Sequence, residues 1–154
     1  MSATFRITVP TRQTGIALIE ALVSILIFSV GVLAIIGLMT ASVVSLRDST
    51  NRSQAGLAAN QIIGQMWADD HDFATSLQPK YAGIGGAGGA QYMNWYNSSA
   101  VQALPGVANY PPTITVVAAS AVTVPPSTIV TVQVYWKPPN ATTTHNYSTV
   151  AQIN

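Results

Sequence analysis

Few side chains in this sequence could do chemistry. There are two histidines, His71 and His145, and no cysteine. A thiol nucleophile, a thiolate metal site and a disulfide are therefore excluded, and a serine nucleophile would depend on one of two imidazoles. Neither histidine stands near a nucleophile-elbow pattern. Asp69-Asp70-His71-Asp72 has metal-ligand residue types, but calcium takes about six to eight oxygens arranged by a turning loop with a glycine. The run reads instead as a solvated helix end, with no metal, no cofactor and no catalytic residue expected. Gly83, Gly85 and Gly88 satisfy G-x-G-x-x-G, yet that fingerprint carries meaning only after a strand and at the start of a helix. Here a helix precedes, Tyr81 to Ala100 reads as a loop, and nucleotide binding is not expected. Tyr92, Trp95 and Tyr96 fit core filling under that loop better than a binding surface.

One ionisable group remains, Glu20. From Thr14 to Met39 every other residue is apolar or small, and nothing charged follows Glu20 until Arg47. About 20 apolar residues at ~1.5 Å rise span the roughly 30 Å hydrocarbon core of a bilayer, so the run predicts a transmembrane helix. It is too long for the h-region of a secretory signal, which covers about 7 to 15 residues. A carboxylate inside such a run costs a few kcal/mol if it sits deep, and usually has a partner and a task. Its place near the start of the run also allows it to reach headgroups at the membrane edge. The residue alone leaves both readings open.

The neighbourhood separates them. A polar leader with Arg6 and Arg12 precedes Gly15-Ile16-Ala17-Leu18-Ile19-Glu20, and this arrangement resembles the amino-terminal signature of type IV prepilins. The resemblance implies cleavage by a prepilin peptidase between Gly15 and Ile16, N-methylation of Ile16, and subunit assembly guided by Glu20 at the fifth mature position. Ile16 stands where the family most often has phenylalanine, and Ala17 where threonine or serine is usual. Phe28-Ser29-Val30-Gly31-Val32-Leu33 together with Arg52 to Asp70 is similar to the pilus-modification (PilV-like) minor pilins, a likeness covering roughly the first 70 residues.

Composition agrees with a membrane or assembled protein. Of 154 residues 49% are hydrophobic and 7% charged, against about 25% charged in an average soluble protein. Beyond the membrane run, length leaves one small domain of roughly 100 residues. Without Arg6 and Arg12, the basic residues are Arg47, Arg52, Lys80 and Lys137, against Glu20, Asp48, Asp69, Asp70 and Asp72. This near-neutral balance lacks the basic stripe of a nucleic-acid binder, and no direct nucleic-acid contact is expected. The leader arginines mark the cytoplasmic flank and put the residues after Leu46 outside the inner membrane.

Pro10 discourages an earlier helix start, and a helix is expected from Ile16. Gly31 and Gly37 each cost about 1 kcal/mol relative to alanine; they serve either as points of unwinding or as small residues for close packing. Beyond Arg47 the helix turns amphipathic. Ala55, Ala59, Ile62, Met66, Phe73 and Leu77 recur at helical spacing, while Arg47, Asp48, Arg52 and Gln54 stay wet and Asp48 supports Arg52 four residues on. The helix is expected to end between Asp69 and Leu77, with Pro79 as its outer limit. Thr113 to Val124 and Thr128 to Trp136 are β-branched runs bounded by proline pairs and read as strands. The Val130, Val132, Val134 and Trp136 face should lie on the helix, with Tyr147 to Ile153 as a last antiparallel partner in a three- or four-stranded meander.

The expected fold class is α+β, type IV pilin-like, with a long amino-terminal helix packed on a small antiparallel sheet. Residues 1–15 form the leader, 16–46 the transmembrane and assembly helix, 47–77 the amphipathic helix and 78–154 a periplasmic β-rich head. The resemblance implies a structural minor pilin and not an enzyme. Its partners would be prepilin peptidase, other major and minor pilins and the inner-membrane assembly machinery. Its location would be the bacterial inner membrane, then the pilus. A minor pseudopilin of type II secretion shares the leader and Glu20 and is the alternative. A membrane-tethered ligand-binding module is the other, although a tether has no need of Gly15 and Glu20 together.

Overall fold

The computed structural model describes residues 14–119, 127–139 and 141–154. Arg6, Pro10 and Arg12 of the expected leader lie outside the described residues, as does the end of the expected strand Thr113 to Val124. The chain divides into two units, Met1–Val44 and Ser45–Asn154, and the helix α1, Thr14–Ala68, contributes to both. It starts two residues before the expected Ile16. In the first unit every side chain from Ile16 to Val44 is exposed, and the helix runs through Gly31 and Gly37 without interruption.

In the second unit α1 is amphipathic as its spacing demands. Ala55, Ala58, Ala59, Ile62 and Met66 are all buried in one cluster with the strand residues below. The helix stops at Ala68, short of the expected range, and the cause is local. The Asp69 carboxylate accepts from Asp70 N–H at 2.8 Å and the Asp70 carboxylate from Asp72 N–H at 3.2 Å. Aspartates that capture backbone donors in this way compete with the helical ladder. Asp72 then caps a π-helical turn, Phe73–Leu77, by accepting from Thr75 N–H and its hydroxyl, each at 2.7 Å. Pro79 does not bound α1. It sits in the first turn of a separate short helix α2, Gln78–Tyr81, where a missing N–H costs nothing.

The expected loop from Tyr81 to Ala100 is ordered instead. Strands β1, Gly83–Ile84, and β2, Ala87–Gly88, form a hairpin, and helices α3, Ala90–Tyr96, and α4, Ser99–Gln102, follow. Gly85 and Gly86 turn the hairpin with φ of 65° and 81°, the left-handed pair that a two-residue turn favours. Gly83 answers a different need: a Cβ there would overlap the ring of Tyr92. Of the three glycines that mimic a nucleotide fingerprint, Gly83 and Gly88 lie against this ring and Gly85 serves the turn. Tyr92 and Trp95 are buried, which supports the core-filling reading of both, whereas Tyr96 is half-buried.

Three longer strands complete the sheet: β3, Thr113–Ala118, β4, Thr128–Trp136, and β5, His145–Ile153. The sheet has five strands in the order β2-β1-β3-β4-β5, antiparallel throughout. The expected three- or four-stranded meander is its β3-β4-β5 part, which the β1-β2 hairpin extends. Alternation in β4 holds residue by residue: Val130, Val132, Val134 and Trp136 are buried, while Ile129, Thr131, Gln133 and Tyr135 are not. With the long helix packed on this sheet, the layout is α+β.

Gly83→Ala should lower the stability of this unit by about 1–3 kcal/mol, the usual cost of forcing atoms into a filled core. Chemical denaturation followed by tryptophan fluorescence measures it, and an unchanged midpoint would mean that the Tyr92 ring yields without cost.

Candidate functional site

Glu20 lies on the exposed surface of the first unit, four residues, or about 6 Å along the axis, from Ile16. Ile16 is 64% exposed, and Leu18, Ile19 and Leu22 around the carboxylate are exposed to a similar degree. Among the described residues no cation lies within ion-pair distance of Glu20. Other polar groups on this surface turn inward. Ser29, Thr40 and Ser42 fold their hydroxyls onto the carbonyls of Ile25, Ile36 and Leu38 at 2.7, 3.0 and 3.0 Å. Hydroxyls satisfied within the helix suit an apolar medium; a lone carboxylate does not. Among the described residues one helix is long and apolar enough to cross a membrane, and it is this one.

Gly15 belongs to the first turn of α1. A Cβ added at Gly31 or Gly37 would meet nothing within 4 Å, so neither glycine is required by packing within a single chain. The sequence-derived set therefore shares one helix: Gly15, Ile16 and Glu20 within its first two turns, the glycines further along.

The second unit engages the remaining chemical groups. Asp48, expected to stay wet and support Arg52, is half-buried and takes other partners. Its Oδ1 accepts from Trp136 Nε1 at 3.4 Å and lies 3.4 Å from His145 Nδ1, with the His145 ring stacked on Trp136. A long-range indole and imidazole outcompete a helical neighbour because the strand end fixes both beside the helix. His71 Nδ1 lies 2.7 Å from the Asn154 main-chain oxygen and Nε2 3.1 Å from the Trp67 carbonyl. The run Asp69 to Asp72, expected as a solvated helix end, is structured by specific bonds. Among the described residues no group of three or more acidic or histidine side chains is placed to hold a metal ion.

Asp69 is also the centre of a small network. Lys80 Nζ donates to its two oxygens at 3.0 and 3.2 Å and to Ser76 Oγ at 3.0 Å, and Tyr81 Oη donates at 3.0 Å. The Asp70 N–H, then Lys80 and Tyr81, hold the Asp69 carboxyl below its ordinary value. The Thr75 hydroxyl and N–H do the same for Asp72. Burial, reinforced by Asp69, pushes the Tyr81 phenol up to about 12. This network borders a cleft between α1 and α3 that sequence reasoning missed. Gln61 and Gln65 gave a signal, a polar i, i+4 pair beside the core stripe, but its far wall lay in residues read as a loop.

These shifts set the pH response. A carboxyl lowered in the fold stabilises fully above its unfolded value, here the ordinary 3.8, and that contribution is lost as pH falls through the folded value. Thermal stability should therefore decline on acidification through this range, and Asp69→Asn with Asp72→Asn should flatten the decline. A raised phenol stabilises below its ordinary value of 10.0 and loses the contribution towards pH about 12. Ultraviolet titration should show a late tyrosine that Tyr81→Phe removes. Comparison of the chain with protein-family models, curated proteins and solved structures finds no match.

Proposed function

We propose that this chain is a structural minor pilin of a type IV pilus system, a single-pass inner-membrane subunit that is cleaved after Gly15 and then enters a filament. The reading rests on one observation. An otherwise apolar, exposed helix surface carries a single carboxylate, Glu20, one turn from Ile16, the residue that directly follows Gly15. Cleavage gives Ile16 a charged amine. In a core of packed helices an unpaired charge costs several kcal/mol, and the Glu20 of a neighbouring subunit neutralises it. The second unit then stands outside the membrane and meets other major and minor pilins. Prepilin peptidase and the inner-membrane assembly machinery are the remaining partners.

The mass of the protein purified from membranes tests the first step, since it reports cleavage and methylation together. Gly15→Val should leave the full-length precursor; maturation at Ile16 in that variant would exclude a prepilin. Glu20→Leu should be cleaved normally yet fail to enter filaments, and Glu20→Asp should be intermediate because its side chain is shorter. Incorporation of Glu20→Leu at the wild-type level would reduce the carboxylate to a membrane-edge residue.

Gly31 and Gly37 loosen the helix when neighbouring subunits replace lipid. Replacing both with alanine should stiffen it by about 2 kcal/mol in total, with normal membrane insertion and less incorporation. Unreduced incorporation would assign the glycines to packing alone.

A further inference from the structure

The second unit has an open cleft of about 410 Å³ between α1 and α3, within the roughly 300–1,000 Å³ of small-ligand sites. One wall is a stripe of α1, Gln61 and Gln65. The other is a face of α3, Gln91 and Asn94, continued by Ser98. Tyr81 and Trp95 line it as well, both buried. Four primary amides thus border one space, and among the described residues none of the four side chains makes a hydrogen bond within the protein. Ser98 adds its backbone and Cβ to this wall, while its Oγ is turned away from solvent.

Charge selects the class of ligand. The carboxylate at the edge, Asp69, is already compensated by Lys80 and Tyr81, and Lys80 is committed to Asp69 and Ser76. An anion finds no free cation among the lining residues, and a cation finds a carboxylate already paired. Neutral hydrogen-bonding groups are favoured. Each amide offers an acceptor and two donors side by side, a pattern that matches neighbouring hydroxyls on a ring. A peptide would bring side chains that need apolar pockets, and of the lining residues outside the two aromatics only Ala68 is apolar. From this geometry we infer that the cleft binds a neutral polyhydroxylated ligand, a saccharide unit. The inference is independent of pilus assembly, since it uses neither Glu20 nor the cleavage site.

The test uses the full chain in an amine-oxide detergent, because glycoside detergents would compete. Saturation-transfer NMR is run with the methyl glycosides of glucose, galactose, mannose and N-acetylglucosamine and with a blocked dialanine peptide, each at about 10 mM to detect millimolar affinity. Transfer from at least one glycoside and not from the peptide is expected. Gln65 and Asn94 are exposed, so Gln65→Ala and Asn94→Ala should fold normally and each weaken binding roughly tenfold, as loss of one or two hydrogen bonds does. Gln54→Ala, exposed on α1 outside the cleft, should bind as the unaltered protein does. Absence of transfer from all four glycosides, transfer from the peptide alone, or full binding by the Gln65→Ala, Asn94→Ala double variant would each overturn the inference.

Discussion

The second unit depends on the single core that its helix and its sheet share. Ala55, Ala58 and Ala59 form the upper part of the buried stripe and share one core with Val130, Val132 and Val134 of β4. Ile62 and Met66, fully buried, form the lower part. Trp95 draws α3 onto the helix at the same level by donating its indole N–H to the Ala58 carbonyl at 2.9 Å. At the far end Trp136 reaches Asp48. With no cysteine in the chain, these contacts carry the stability that small extracellular domains often draw from disulfides. Close-packed interiors register a change of even one methylene.

Tyr92 shows how far that constraint extends. Its ring takes the space above Gly83, its hydroxyl donates to the Pro112 carbonyl at 2.8 Å, and the Gly86 N–H donates to it at 3.2 Å. One side chain thereby joins α3, the hairpin turn and the entry to β3. Gly83 and Gly88 leave room for the ring, and Gly85 and Gly86 supply the turn of the hairpin.

α1 changes character along its length. Up to Val44 its outer surface is apolar, and Ser29, Thr40 and Ser42 bond to carbonyls of the helix itself; beyond Ser45 one stripe is buried and the amides of Gln61 and Gln65 flank it. Glu20 belongs to the first regime and violates it, which is why a partner is proposed for it. The amide cleft belongs to the second. It lies directly beside the core stripe, so the residues that pack the helix also set the spacing of the cleft walls.

Period and composition were enough to identify the apolar helix, the solitary carboxylate, the buried stripe from Ala55 to Met66 and the alternating strand from Thr128 to Trp136. These signals are local, because a helical or a strand repeat is written in consecutive residues. Tertiary contacts decided the rest. Residues 81 to 100 carry too many glycines for a periodic pattern, and they fold as a hairpin and two helices only because Tyr92 and Trp95 find partners at Pro112 and Ala58, far away in sequence. Asp48 turned from Arg52 to Trp136 and His145 because a strand end brought an indole and an imidazole to it. The cleft exists for the same reason: its two walls are distant in the chain, and packing alone makes them face each other.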